Sequence, residues 1–155
     1  MSEINNNDEL KNQNYQKINN IIIKLQQEYK NLEGSARINA FQKILNSQDI
    51  ILILFELAKK NLEDIVVYIL NEFAIVSQYR NENTKEALFK DLYLHAIKKG
   101  QIQILESLDK QDVNFTQIKD TEGNNGLILA VLYSNIQIAK FFLKRCPEML
   151  ESKNN

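Results

Sequence analysis

A ten-residue segment recurs in the second half of the sequence, and this repetition limits the possible folds more than any other feature. Residues 95–104 align without a gap with residues 129–138, at an offset of 34 residues, so that Ala96 matches Ala130. A weaker copy lies upstream at 57–66. Periods of roughly 20–50 residues are typical of chains in which each unit covers the apolar face of the next. We therefore expect stacked units rather than a single closed core.

The units are expected to be helical, because apolar residues recur at helical spacing almost throughout the chain. The first stripe contains Ile18, Ile21, Ile22, Leu25 and Tyr29. Residues at this three- and four-residue spacing lie on one face of a helix, so the stripe predicts an amphipathic helix. A short helix follows, with Ser35 as its predicted N-cap. Further helices are predicted at 50–60, 63–78, 85–99, 102–109, 126–134 and 136–145.

Very short turns separate the predicted helices of each pair. Asn61 and Gly100 occupy matching turns, and such turns need a residue that tolerates a positive φ. Ser134 and Asn135 fill the same turn in the last pair. Asn125 is expected to cap the helix that starts at Gly126.

One continuous core is predicted to run through the pairs. Its expected members are Leu54, Ile65, Val66, Ile69, Ile97, Ile104, Leu105, Leu108, Leu127, Val131, Ile138, Phe142 and Leu143.

The domain organisation predicted from these patterns is one domain at 13–151, between polar ends. Residues 1–12 are polar and acidic and are predicted to be a disordered leader, and 152–155 are a similar tail. No apolar run approaches the roughly 18–20 residues of a membrane span, and the N-terminus does not resemble a signal peptide. We therefore expect an intracellular protein, cytoplasmic or nuclear, that does not interact with a membrane.

Composition excludes several classes of chemistry. The formal net charge is −1, which argues against nucleic-acid binding through a broad basic face. Cys146 and His95 are the single cysteine and histidine, which rules out an internal disulfide and a multi-cysteine zinc site. We expect no metal, no cofactor and no enzymatic activity. A general-base role for His95 or a reactive Cys146 thiol is the alternative to a structural role for each.

The residues around the last pair carry a resemblance to a known family. Residues 120–130 resemble the D-x-x-G-x-T-P-L-H-x-A opening of the ankyrin repeat, matching at Asp120, Gly123, Leu127 and Ala130. Residues 138–143 look like the I-V-x-x-L-L close of the repeat, and 112–114 resemble the D-V-N that follows it. The chain departs from the family pattern where Asn125 and Gly126 replace the T-P pair and where Leu57 replaces a small alanine.

The resemblance to the ankyrin repeat family implies an all-α solenoid of about three repeats. It is clearest at 120–151, less close at 86–115 and weakest at 47–80, and an N-terminal helical pair at 13–46 precedes these repeats. The family's role implies a non-catalytic module that binds another protein through a concave face and finger loops. The alternatives are an obligate structural subunit of a larger multiprotein assembly, and a small intracellular effector or regulator.

Two lysine pairs are candidates for partner binding. Lys59 and Lys60 align with Lys98 and Lys99, so stacked units would place all four charges in a row facing an acidic partner. The alternative is that they are solvated helix ends, since cations are favourable near the negative end of the helix dipole.

Leu132 and Tyr133 align with those lysine pairs and are the second candidates. Exposed aromatic residues at this position are typical of interfaces, but the pair could also pack under 148–151. Phe115 and Ile118, in the connection before Asp120, are expected either at a finger tip or packed against the neighbouring finger. Glu122, in the same connection, completes the candidate set.

Overall fold

The computed structural model describes residues 2–78 and 82–151, and all of its regular elements are helical. The α-helices are α1 (Ser2–Asn31), α2 (Gly34–Leu45), α3 (Ile50–Lys59), α4 (Glu63–Glu72), α5 (Glu82–Leu88), α6 (Lys90–Lys99), α7 (Ile102–Lys110), α8 (Gly126–Leu132) and α9 (Ile136–Arg145). Short 3₁₀ helices lie at Val76–Gln78, Phe115–Gln117 and Pro147–Glu151. Within the described ranges, no helix has both the length and the apolar character needed to cross a bilayer.

The chain divides into two compact units, Met1–Ile53 and Leu54–Asn155. The prediction was one domain at 13–151, whereas the contacts divide the chain within α3. The first unit contains α1 and α2, and its core is formed by Ile21, Ile22, Leu25, Phe41 and Leu45. All three of the α1 residues in this core belong to the predicted amphipathic stripe.

Arg37 closes the end of α1 in the first unit. Its Nε donates to the Leu32 carbonyl at 2.8 Å and its Nη2 donates to the Tyr29 carbonyl at 2.6 Å. The guanidinium lies 4.1 Å from the centre of the Tyr29 ring. One side chain thus binds carbonyl groups that the helix end leaves without backbone donors and also stacks on an aromatic face.

Two boundaries differ from the sequence predictions in the first half of the chain. The helix α1 continues through Ser2–Asn31, so the structure has helix where a disordered leader was predicted at 1–12, and its side chains from Asp8 to Asn12 are exposed. Exposed polar residues such as Glu and Lys form helix well without burying any surface. The N-cap of α2 is Glu33, not Ser35, because Gly34 already belongs to the helix. The predicted tail at 152–155 lies outside the described residues.

The helix pairs of the second unit share one turn geometry. Asn61, Gly100 and Ser134 have φ values of 62°, 75° and 57°, which confirms the predicted left-handed turn. The next residue's backbone N–H donates to the carbonyl five residues back in each pair: Leu62 to Leu57 (3.0 Å), Gln101 to Ala96 (2.8 Å) and Asn135 to Ala130 (2.8 Å). The three acceptor residues are fully buried.

Two predicted helices end or divide earlier than expected. The helix predicted at 63–78 ends at Glu72, since the chain reverses at Ala74 (φ 46°) and brings Ile75 and Val76 into the core. The helix predicted at 85–99 divides into α5 and α6 at the fully buried Phe89.

The core prediction holds except at the last pair. Val131 is 65% exposed and Leu143 is 41% exposed, so placing them in the core was wrong. Both lie on the outer side of α8 and α9, where no further helix pair follows in the described chain.

An aromatic cluster joins α6, α9 and the connection before α8. The Tyr93 and Phe115 rings stack with centroids 4.9 Å apart, and Phe142 meets Phe115 edge-on at 5.7 Å. Gly126 allows this packing, since a Cβ there would lie 2.7 Å from Phe142 Cζ and would collide with Tyr93 Oη. Asn125 caps α8 as predicted, accepting from Ile128 N–H at 2.9 Å.

Gly126→Ala is expected to destabilise the protein by about 1–3 kcal/mol, the usual effect of overpacking a core. The measurement is the free energy of unfolding in urea. Tyr93→Phe removes the colliding hydroxyl, so we expect the double variant to recover part of the loss. Equal losses in the single and double variants would contradict this account of the packing.

Candidate protein-binding surface

Six of the nine predicted partner-binding residues lie at the carboxyl ends of three helices. Lys59 ends α3 with Lys60 after it, Lys98 and Lys99 end α6, and Leu132 ends α8 with Tyr133 after it. All six side chains are exposed. The four lysines therefore add positive charge where helix dipoles leave negative potential, and they remain accessible to solvent.

On α3, Lys59 belongs to a group that sequence analysis did not single out. Its Nζ lies 2.7 Å from Glu56 Oε1 and 4.7 Å from the centre of the Phe55 ring. The Phe55 ring meets the His95 ring edge-on, with centroids 5.7 Å apart. These contacts extend the surface from the end of α3 to α6 through two half-buried rings.

Lys98 makes the corresponding contact toward the last helix pair. Its Nζ lies 5.7 Å from the centre of the Tyr133 ring, within the range of a cation–π interaction. Leu132 is 63% exposed and Tyr133 is 48% exposed. Residues 148–151 do not cover this pair, which was the alternative prediction. Met149 is buried and its carbonyl accepts from Asn125 Nδ2, whereas Leu132 and Tyr133 are exposed to solvent.

We name the resulting patch the lysine–aromatic surface. It consists of Phe55, Lys59, Lys60, His95, Lys98, Lys99, Leu132 and Tyr133.

Phe115 and Ile118 do not belong to this surface. They are 1% and 2% exposed, so their prediction as finger-tip contacts was wrong. Phe115 packs on aromatic residues of α6 and α9 rather than on a neighbouring finger. Their connection folds back, and the Phe115 ring completes the aromatic cluster with Tyr93 and Phe142. An apolar run in a long connection cannot reveal this from sequence, because the covering groups are far away along the chain.

Glu122 is exposed in a turn that Asp120 organises. Asp120 Oδ1 accepts from the Glu122 and Asn124 backbone N–H groups at 2.9 and 2.8 Å. Partial desolvation raises the pKa of Asp120, but its hydrogen bonds with Asn124 and Glu122 and the charge of Lys98 outweigh this, so the net shift is downward. The influence of Lys98 places this turn near the lysine–aromatic surface.

The His95 imidazole senses the same lysines. Burial lowers its pKa, a hydrogen bond to the Ala58 backbone raises it, and the charges of Lys99, Lys59 and Lys98 lower it further, for a net downward shift. Its Nε2 is buried and has no hydrogen-bond partner among the described residues. The downward shift of its pKa favours the neutral imidazole over the charged form.

The remaining candidate for chemistry is Cys146, at the end of α9. Burial raises the pKa of its thiol, Glu148 and Asp109 raise it further, and Arg145 opposes them, for a net upward shift. A raised pKa keeps the thiol protonated and poorly nucleophilic. In the part of the chain that the structure describes, no three His, Cys, Asp or Glu side chains come together as metal ligands.

Sequence reasoning missed Phe55 and His95 as parts of this surface, and Glu56 as a partner of Lys59. The available signal was the spacing of Phe55, Glu56 and Lys59, because residues three and four apart meet on one face of a helix. The contact between Phe55 and His95 had no such signal, since it joins separate helices.

Comparison with known proteins yields no matching family model, no matching curated protein and no matching solved structure.

The pKa of His95 is expected to lie below the ordinary value of about 6.5, and Lys99→Gln should raise it. Because the folded state holds this proton less tightly than the unfolded chain, the contribution of His95 to stability is present above the unfolded pKa. It is lost as the pH falls through that value toward the folded pKa. The single imidazole gives a clean proton NMR titration, with Lys110→Gln as the matched control. A pKa above the ordinary value would contradict the described environment.

Proposed function

We propose that this protein is a non-catalytic module that binds another protein through the lysine–aromatic surface. The observation that carries the proposal is the exposure of Leu132 and Tyr133 at the carboxyl end of α8, with Lys98 of α6 beside the Tyr133 ring. Exposed aromatic and aliphatic side chains surrounded by charges are typical of interface centres with polar rims. The partner would present acidic groups to the lysines and an apolar pocket to Leu132 and Tyr133.

The architecture that we propose for this module is a solenoid of about three ankyrin-like repeats. The matching left-handed turns at Asn61, Gly100 and Ser134 support it, as does the matched backbone hydrogen bond that follows each turn. In a solenoid, equivalent helix ends line one side of the stack, which would place the lysine pairs and Leu132–Tyr133 on one continuous face. Rigid helices presenting that face would lose little entropy on binding.

We also propose that the protein works inside the cell. The support is indirect: Cys146 is the single cysteine, and its thiol pKa is raised, as suits a structural side chain in a reducing compartment.

A role as a subunit of a larger assembly is the second candidate function. Val131, Ile136 and Leu143 expose apolar side chains that do not belong to the lysine–aromatic surface.

The test compares partner binding by two surface variants and the wild type. Proteins captured from the native cell by the tagged chain are identified first, and the affinity of each purified partner is then measured by calorimetry. We expect the Leu132→Asp, Tyr133→Asp double variant and the Lys98→Glu, Lys99→Glu double variant each to weaken binding about tenfold or more, as loss of interface anchors does. Binding should also weaken with added salt.

The matched control is the Lys30→Glu, Lys110→Glu double variant, which changes the net charge as much as the Lys98→Glu, Lys99→Glu variant but at exposed positions outside the surface. Its affinity should equal that of the wild type. If both surface variants remain folded by circular dichroism and bind every partner as the control does, the proposed function is wrong.

A further inference from the structure

Successive helix pairs in the second unit are joined by the same side-chain hydrogen bond. Gln101 Nε2 donates to the Ala58 carbonyl at 2.9 Å, and Asn135 Nδ2 donates to the Ile97 carbonyl. Gln101 and Asn135 are the N-caps of α7 and α9. Their acceptors, Ala58 and Ile97, are equivalent positions near the ends of α3 and α6 in the repeat alignment. Each pair thus presents an amide to the carbonyl of the preceding pair.

The next acceptor in this series is the Val131 carbonyl on α8. It accepts from the Ser134 backbone N–H at 3.0 Å, as Ala58 accepts from Asn61 and Ile97 from Gly100. No amide side chain reaches it among the described hydrogen bonds. The position that a following pair's amide would occupy is therefore open to solvent.

The apolar positions around that carbonyl are open as well. Ile97 and Leu105 are fully buried. Their aligned counterparts are less covered: Val131 is 65% exposed and Ala139 is half-buried. Ile136 and Leu143 add exposed fractions of 67% and 41% on the same stripe of α9. We name Val131, Ile136, Ala139 and Leu143 the terminal face. It continues the packing surface that α6 uses toward α8.

We propose that the terminal face binds a helix pair of a different polypeptide, which adds to this protein in the register of its own pairs. The partner pair would cover Val131 and Ile136 with apolar side chains. An Asn or Gln at the N-cap of its second helix would donate its amide hydrogen to the Val131 carbonyl. Lys140 and Lys144 are exposed beside this stripe, so the partner's rim would be acidic.

The register favours a different polypeptide over a second copy of this chain. A copy stacked head to tail would bring one of its N-terminal helix pairs, α1–α2 or α3–α4, against the terminal face. The second helices of these pairs have Glu33 and Leu62 as their N-caps, and neither a carboxylate nor a leucine side chain has a hydrogen to donate. The inference goes beyond the proposed function, since the terminal face and the lysine–aromatic surface consist of different residues.

The first test asks whether the terminal face accepts a helix pair in this register. In a tandem chain, residues 1–144 are followed by 111–155, so that 111–144 occur twice in succession and the junction keeps the natural spacing. The second copy then presents its own Asn135 amide to Val131 of the first. We expect a higher urea midpoint than the wild type and slower hydrogen exchange in the first-copy α8.

Two tandem controls separate register from simple lengthening. Asn135→Leu in the second copy removes the amide, and Val131→Asp in the first copy places a charge in the new interface. Both should lose most of the gain in midpoint. A tandem chain no more stable than the wild type would overturn the proposal, as would an Asn135→Leu control as stable as the parent tandem.

The second test identifies the natural occupant by solution mass and by partner binding. We expect the wild-type chain to sediment as a monomer, and a captured helical partner to lose affinity with Val131→Asp, Ile136→Asp but to keep it with Lys98→Glu, Lys99→Glu. A wild-type dimer that Val131→Asp dissociates would overturn the proposal in favour of a second copy. Loss of binding only in the Lys98, Lys99 variant would leave the proposed function standing and refute this inference.

Discussion

The left-handed backbone residue between the two helices of each pair is the constraint on which the second unit depends. A positive φ at Asn61, Gly100 and Ser134 lets the chain reverse within two residues, and the following N–H closes on a carbonyl five residues back. The two helices of a pair must then lie close together, which is why Ala96 and Ala130 are fully buried. The same turn fixes the N-caps of α7 and α9, so the Gln101 and Asn135 amides reach the preceding pair only because the reversal is this tight.

Much of this fold is predictable from the sequence, because its determinants are local. Helical spacing of apolar residues located most of α3 to α9, and a repeated segment located the matching turns. One cause explains the errors at Val131, Leu143, Phe115 and Ile118. A local sequence pattern predicts which side of an element a residue lies on, but it does not show whether another element packs against that side. Val131 is the aligned counterpart of Ile97, yet Val131 is exposed and Ile97 is buried. In the opposite direction, Phe115 lies in a connection but finds Tyr93 and Phe142, which are distant in sequence.

The candidate surface was predictable to a similar degree. Aligned positions identified the lysine pairs together with Leu132 and Tyr133, since equivalent residues in repeats occupy equivalent helix ends. Phe55 and His95 were not found because their edge-on contact joins two helices whose separation no sequence pattern specifies. Two of the lysines are not simply solvated charges, because the Lys59 ammonium group lies over the Phe55 ring and that of Lys98 lies near the Tyr133 ring. These ring contacts hold the ammonium groups close to the apolar part of the surface, where a partner with both acidic and apolar groups would meet them together.

The close packing of Gly126 against Tyr93 restricts how this sequence can diverge. A side chain at 126 collides with the Tyr93 hydroxyl and the Phe142 ring, so alanine at 126 is better tolerated once bulk has been lost at the facing positions. The effect of either change depends on the other. Evolution at these sites is therefore epistatic, and tyrosine at 93 favours the retention of glycine at 126.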